Sequence, residues 1–154
     1  MERRKRAPDP TAALLACYTA VLNEVAARAS GRVVLGGKSM GGRMATELVA
    51  TQRDENRVRG IVLLGYPLHP PGRPQQLRSA HLPHVRRPML FVQGTRDTFG
   101  TPQELHAELD RLAVSGTVHT VADGDHSLIV KRARPQESVW EEIYDVILRW
   151  IARL

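Results

Sequence analysis

A serine hydroxyl attacks an acyl carbon only when a neighbouring base takes its proton and an acid holds that base in orientation. Ser39 is placed for this chemistry, within Gly37-Lys38-Ser39-Met40-Gly41. The pentapeptide fits G-x-S-x-G, a sharp strand-to-helix turn that lifts a serine oxygen clear of a sheet. Gly37 and Gly41 suit it because so tight a turn brings backbone segments together and leaves no room for a Cβ. The same five residues also fit a purely structural turn, so the partners decide. Asp97 and His126 follow in the chain, giving the order Ser, Asp, His that one known arrangement of these groups uses. Asp123 and Asp125 flank the histidine, but a carboxylate so close in sequence reaches Nδ1 poorly, and Asp125 suits the turn itself. His69 and His81 sit in a proline-rich stretch and could line a pocket. His119 reads as a packing or surface residue of a strand, and His84 and His106 as peripheral. No spacing of histidines and carboxylates resembles a metal-ligand set, so neither a metal nor another cofactor is expected.

These residues need a scaffold, and the hydrophobic pattern supplies one. Thr11 opens a helix in which Leu14, Cys17, Val21, Leu22 and Val25 recur at helical spacing, up to a Ser30-Gly31 stop. A strand over Arg32 to Gly36 leads into the turn, and a helix from Met40 to about Gln52 follows it. Asp54 to Arg57 is a polar loop. Val58 to Leu64 is an apolar run of the kind buried on both faces in a parallel sheet. Tyr66 to Pro74 contains four prolines and excludes a regular element; a short helical piece is expected near Leu77 to His81. A third strand spans Pro88 to Gln93. Thr101-Pro102-Gln103-Glu104 makes a capping box for a helix to about Ala113, and Thr117 to Val121 is the fourth strand. Ser138-Val139-Trp140-Glu141 reads as a second capping box, opening a last helix whose Trp140, Ile143, Tyr144, Ile147, Trp150, Ile151 and Leu154 form an apolar stripe. The alternation predicts an α/β fold: three layers, with a parallel sheet of about four strands between helices. Ligands bind such sheets beyond the carboxyl ends of the strands. Ser39, Asp97 and His126 all fall there.

Bulk properties narrow the function classes. The 154 residues suit one domain, with 1–8 as a flexible basic start carrying Arg3-Arg4-Lys5-Arg6. The net charge of +6 is otherwise scattered and aromatics are 5%, so no specific nucleic-acid partner is expected. Nothing approaches the length of an apolar membrane span. Cys17 is the single cysteine, which excludes an internal disulfide, suits the cytoplasm and reads as a buried, inert thiol.

Four segments, Gly36 to Arg43, Tyr66 to Pro74, Gln93 to Asp97 and Gly124 to Leu128, together resemble blocks of the α/β-hydrolase superfamily. The likeness is greatest to a dienelactone-hydrolase-like branch that includes a testis-expressed protein and a nonspecific-lethal complex subunit. The resemblance implies Ser39 as nucleophile, Asp97 as acid, His126 as base and the Met40 backbone N–H as one oxyanion donor. Beside these, Lys38, Arg43, His69 and Arg96 are expected near the mouth of the pocket by their places in the chain. In one respect the sequence departs from the family. Members normally have further strands before the nucleophile, and a loop there gives the second oxyanion donor; nothing similar precedes Ser39 here.

Two consequences are expected. The strand 32–36 offers an unpaired edge to a second copy or a partner chain, and turnover suffers from the lost donor. The leading expectation is a serine hydrolase acting on a small-molecule ester, thioester or related acyl bond. Its alternatives are a weakly active or non-catalytic interaction protein on the same fold, and the C-terminal part of a longer hydrolase.

Overall fold

The computed structural model describes residues 9–28, 33–51, 57–131 and 134–154. The basic start 1–8, the Ser30-Gly31 stop, Arg32 and the loop residues 54–56 lie outside the described residues. Four strands, β1 (Val33–Lys38), β2 (Val58–Leu64), β3 (Met89–Gly94) and β4 (Thr117–Val121), form one sheet in the order β1-β2-β3-β4. Every adjacent pair is parallel. Around it lie α1 (Thr11–Arg28), α2 (Met40–Thr51), α3 (Pro102–Arg111) and α4 (Gln136–Ile151).

The strand order explains the layers. Right-handed crossovers that always step to the next strand in one direction must all return over one face of the sheet. Accordingly α2, the turn at Leu82–His84 and α3 cover one face, where Leu48, Leu82 and Leu105 pack with Ile61, Leu63 and Phe91. Side chains alternate along a strand, so Val62, Leu90 and Val92 point the other way, against Val139 and Ile143 of α4. The three-layer α/β arrangement expected from the alternation is the one observed.

Several local expectations are corrected. Cys17 is exposed, not buried: α1 lies beside β1, which pairs only with β2 among the described residues, so the outer flank of the helix is uncovered. Leu22 is the buried residue of α1, while Val21 and Val25 are exposed. The last helix begins at Gln136 after Pro135, not at Ser138. Gln136 is tied to the preceding loop, accepting from Val130 N at 2.9 Å and donating to Leu128 O at 3.1 Å. Its apolar stripe is wider than the sheet face it covers, which leaves Trp140, Tyr144, Leu148 and Ile151 exposed. The short helical piece lies at Leu82–His84 rather than 77–81. The Thr101–Glu104 capping box forms as expected, and its Thr101 N–H holds the Glu104 carboxyl below its ordinary pKa.

Candidate active site

β1 ends at Lys38 and α2 begins at Met40, so Ser39 alone makes the turn, and it does so at φ +52°. The left-handed region costs an ordinary residue roughly 1–2 kcal/mol, so neighbours must hold it. Ser39 N donates to Leu64 O at 2.9 Å, and Arg43 N to Ser39 O at 3.2 Å. A Cβ on Gly37 would stand 2.4 Å from Gly41 C and Gly42 N, both backbone atoms. Only glycine fits there. Tyr18 of α1 closes the turn from outside, its hydroxyl donating to Gly41 O at 3.1 Å.

The loop after β4 delivers the histidine. Asp125 shapes it, as its sequence position suggested: Oδ1 accepts from Ser127 N at 2.8 Å and Ile129 N at 3.0 Å. His126 Nε2 lies 2.8 Å from Ser39 Oγ. Beneath His126 sits Gly65 at φ +59°, where a Cβ would come within 2.5 Å of His126 O. The Phe99 ring lies against the imidazole, centroids 4.2 Å apart and planes tilted by 31°.

The loop after β3 delivers the acid. His126 Nδ1 is 3.0 Å from Asp97 Oδ1 and 2.9 Å from Oδ2. The Asp97 side chain is fully buried, a position that a carboxylate tolerates only with donors around it. Besides His126 they are Phe99 N, 2.8 Å from Oδ1, and Gln93 Nε2, 2.9 Å from Oδ2. With the carboxylate facing Nδ1, the proton of a neutral imidazole belongs on that nitrogen, which leaves Nε2 to accept from Ser39. Ser39, His126 and Asp97 thus form one continuous hydrogen-bonded array. Chemically, it can take a proton from Ser39 Oγ and hold it as an imidazolium beside a carboxylate.

Met40 is the first residue of α2. Backbone N–H groups at such a helix start lack intrahelical acceptors and carry partial positive charge. The remaining pocket candidates separate. Lys38 Nζ donates to Ser127 Oγ at 3.1 Å, spanning the residues beside Ser39 and His126. Arg43 pairs with Glu47 at 2.7 Å and Arg96 with Asp123 at 2.6 Å. The His69 ring turns to Pro70 O at 2.9 Å and lies 3.6 Å from Glu104, while its backbone N–H donates to Phe99 O at 3.0 Å. The half-buried His119 lies 2.9 Å from Glu142. His81 bonds Thr46 Oγ1 at 2.8 Å, and burial holds its pKa below the ordinary value. It borders a hollow of about 410 Å³ with Leu15, Arg43 and Leu77. Among the described residues, no three His, Cys, Asp or Glu side chains gather as metal ligands.

Gln93, Phe99 and Gly65 touch the array and were not singled out as site residues by sequence reasoning. A signal for Gln93 existed: it is a polar residue directly after the apolar run Met89-Leu90-Phe91-Val92, in the same strand.

Comparison with known proteins places this architecture. A family model described as an alpha/beta hydrolase domain matches residues 1–152. Among solved structures, a monoacylglycerol lipase from Paleococcus ferrophilus aligns with a TM-score of 0.71 at 14% identity, covering 95% of this chain and 76% of that one. An alpha-beta serine hydrolase homologue from Coxiella burnetii gives 0.71 at 16% identity, covering 97% and 64%. The esterase domain of a Rhodothermus marinus protein gives 0.67 at 15% identity, covering 90% and 68%. At these identities the structural likeness speaks for the fold.

Proposed function

The chain belongs to the alpha/beta hydrolase family, and from that premise we propose that it is a serine hydrolase cleaving an ester, thioester or related acyl bond of a small molecule. Ser39 Oγ attacks the carbonyl carbon as its proton passes to His126 Nε2. The negative charge that develops on the carbonyl oxygen is held by the Met40 N–H at the start of α2. Collapse of the tetrahedral intermediate expels the leaving group, which takes the proton from His126. Water then repeats the sequence on the acyl-enzyme and frees Ser39. Asp97 orients the ring throughout and stabilises its charged form.

The observation that carries this reading is the contact chain Ser39 Oγ to His126 Nε2 at 2.8 Å and His126 Nδ1 to Asp97 Oδ2 at 2.9 Å. Each residue lies in a different turn or loop beyond the carboxyl end of a strand. The family likeness to the dienelactone-hydrolase-like branch and a cytoplasmic setting, suggested by the lone cysteine, belong to the same proposal. The test is labelling by a fluorophosphonate probe. Native protein is expected to react and Ser39→Ala to be inert; labelling that survives the substitution refutes the assignment.

A second reading, an interaction protein on this fold, is favoured by one observation. Among the described residues β1 is a sheet edge whose Val33, Val34 and Leu35 are half-buried, beside the exposed Val21 and Val25 of α1. Such an edge presents unpaired N–H and C=O groups to another strand. A second copy or a partner chain pairing there would give a stable complex by light scattering, and Ser39→Ala would form it equally well.

A further inference from the structure

Gln93 lies at the carboxyl end of β3 and is 0% exposed. A buried amide needs partners for two N–H groups and an oxygen. Its Oε1 accepts from Tyr66 N at 2.9 Å. Its Nε2 faces three oxygens: Gly100 O at 2.6 Å, Asp97 Oδ2 at 2.9 Å and Tyr66 O at 3.3 Å. The orientation is therefore determined. A flipped amide would set its NH₂ against the Tyr66 donor and its oxygen against three acceptors, one of them a buried carboxylate. The two hydrogens go to the two nearest oxygens, Gly100 O and Asp97 Oδ2.

Among the described residues Gln93 is the one side chain besides His126 that donates to Asp97. Phe99 N holds the other oxygen, Oδ1. Together they fix the carboxylate plane at both ends, and that plane sets the direction in which His126 Nδ1–H points. With Gln93 gone, Oδ2 keeps only a share of the His126 donor in an apolar surrounding, and a buried acceptor so stripped moves to find another partner.

We propose that Gln93 is a positioning residue: it fixes Asp97, and through Asp97 the ring of His126, while tying both to the chain at Tyr66 and Gly100. The inference rests on the hydrolase reading, and its test separates the two. The readout in the resting protein is the downfield proton resonance of His126 Nδ1–H, observed without substrate. Gln93→Leu is expected to shift or broaden it and to slow fluorophosphonate labelling by about 10- to 100-fold, as expected for a catalytic group misplaced by up to about 1 Å. The probe concentration at half-saturation should stay within about twofold of wild type if only orientation is lost.

Gln93→Glu has the same shape and keeps an acceptor for Tyr66 N–H. At pH 8 it sets a second carboxylate against Asp97. On acidification it takes a proton that it can donate in place of the amide, so its rate relative to wild type is expected to rise. Among its hydrogen-bond partners, Asp97 and, beyond it, His126 are the titratable groups facing position 93; Tyr66 and Gly100 present backbone atoms. In the wild-type protein the Gln93 side-chain amide protons are expected to exchange slowly with solvent, a readout that needs no variant to fold. Fast exchange overturns the proposal. So does a folded Leu or Glu variant with the wild-type resonance and labelling rate at pH 8. Wild-type protein that fails to label, yet shows the shifted resonance in the variants, refutes the hydrolase reading and leaves the positioning role standing.

Discussion

Gly65 offers a sharp test because its substitution acts on His126 through backbone alone. Alanine there faces two obstacles. The first is its φ of +59°, which costs an ordinary residue roughly 1–2 kcal/mol. The second is contact: the new Cβ would lie 2.5 Å from His126 O, whereas relaxed C···O contacts stand at about 3.3–3.6 Å. Relief requires a displacement of about 0.8–1.1 Å, the difference between those separations. Shifted by that much away from Ser39, His126 Nε2 would no longer lie at the present 2.8 Å but beyond hydrogen-bond reach. A misplacement of about 1 Å can cost 10²-fold in rate. Gly72 supplies the control, with φ +69° and nothing within 4 Å of its added Cβ. Gly65→Ala and Gly72→Ala should both lower the melting temperature, by about 2–8 °C for the shared backbone term in a chain of this size. Only Gly65→Ala should lose labelling by fluorophosphonate, by about 10²-fold. The reasoning fails if Gly65→Ala labels within twofold of wild type, or if Gly72→Ala loses as much.

The array makes a second prediction at its acid. Asp97→Asn keeps the shape but presents an amide to His126 Nδ1 and favours the wrong tautomer, so ester hydrolysis should fall by about 10⁴-fold; a loss under tenfold in initial-rate assays removes Asp97 from the orienting role. A third concerns pH and stability. Burial sets the folded pKa of His81 below its ordinary 6.5, so between those values the unfolded chain binds more protons and stability rises with pH. The contribution is complete above about 6.5 and is lost as pH falls through the folded value. Urea midpoints at pH 7.5 and 5.0 should therefore differ less in His81→Gln than in wild type, and an equal difference in both proteins contradicts the assignment.

Much of this was legible in the sequence because it rests on local patterns. Val58 to Leu64 and Thr117 to Val121 were readable as strands from their β-branched runs, and Thr101 to Glu104 as a helix start from its capping chemistry. The order of Ser39, Asp97 and His126, each beyond a strand end, was enough to bring them together. What stayed hidden depends on contacts between distant segments. Gly65 is one residue after an apolar strand, and its need for a missing Cβ comes from the carbonyl of His126, 61 positions on. Cys17 and Trp140 sit on apolar helical stripes, yet both are exposed, because periodicity gives the direction of a face and not the extent of sheet available to cover it. Gln93 could be seen as a polar residue closing an apolar run, but the four partners of its amide are set by the meeting of two loops, those after β2 and β3.

The placement of β1 links the two functional readings. Ser39 is held in its left-handed conformation by Leu64 O on the β2 side, and its turn by the Tyr18 hydroxyl of α1. On the other edge of β1, among the described residues, no strand contributes a hydrogen bond. The serine therefore follows directly on a strand paired along one side, and a Gly37 that tolerates no Cβ fixes its close approach to α2. A strand added along Val33 to Lys38 would restrain the same six residues from their second side, ending one residue short of Ser39. A strand paired at that edge is therefore expected to change the rate at which fluorophosphonate labels Ser39, and equal labelling rates with and without the paired strand contradict that expectation.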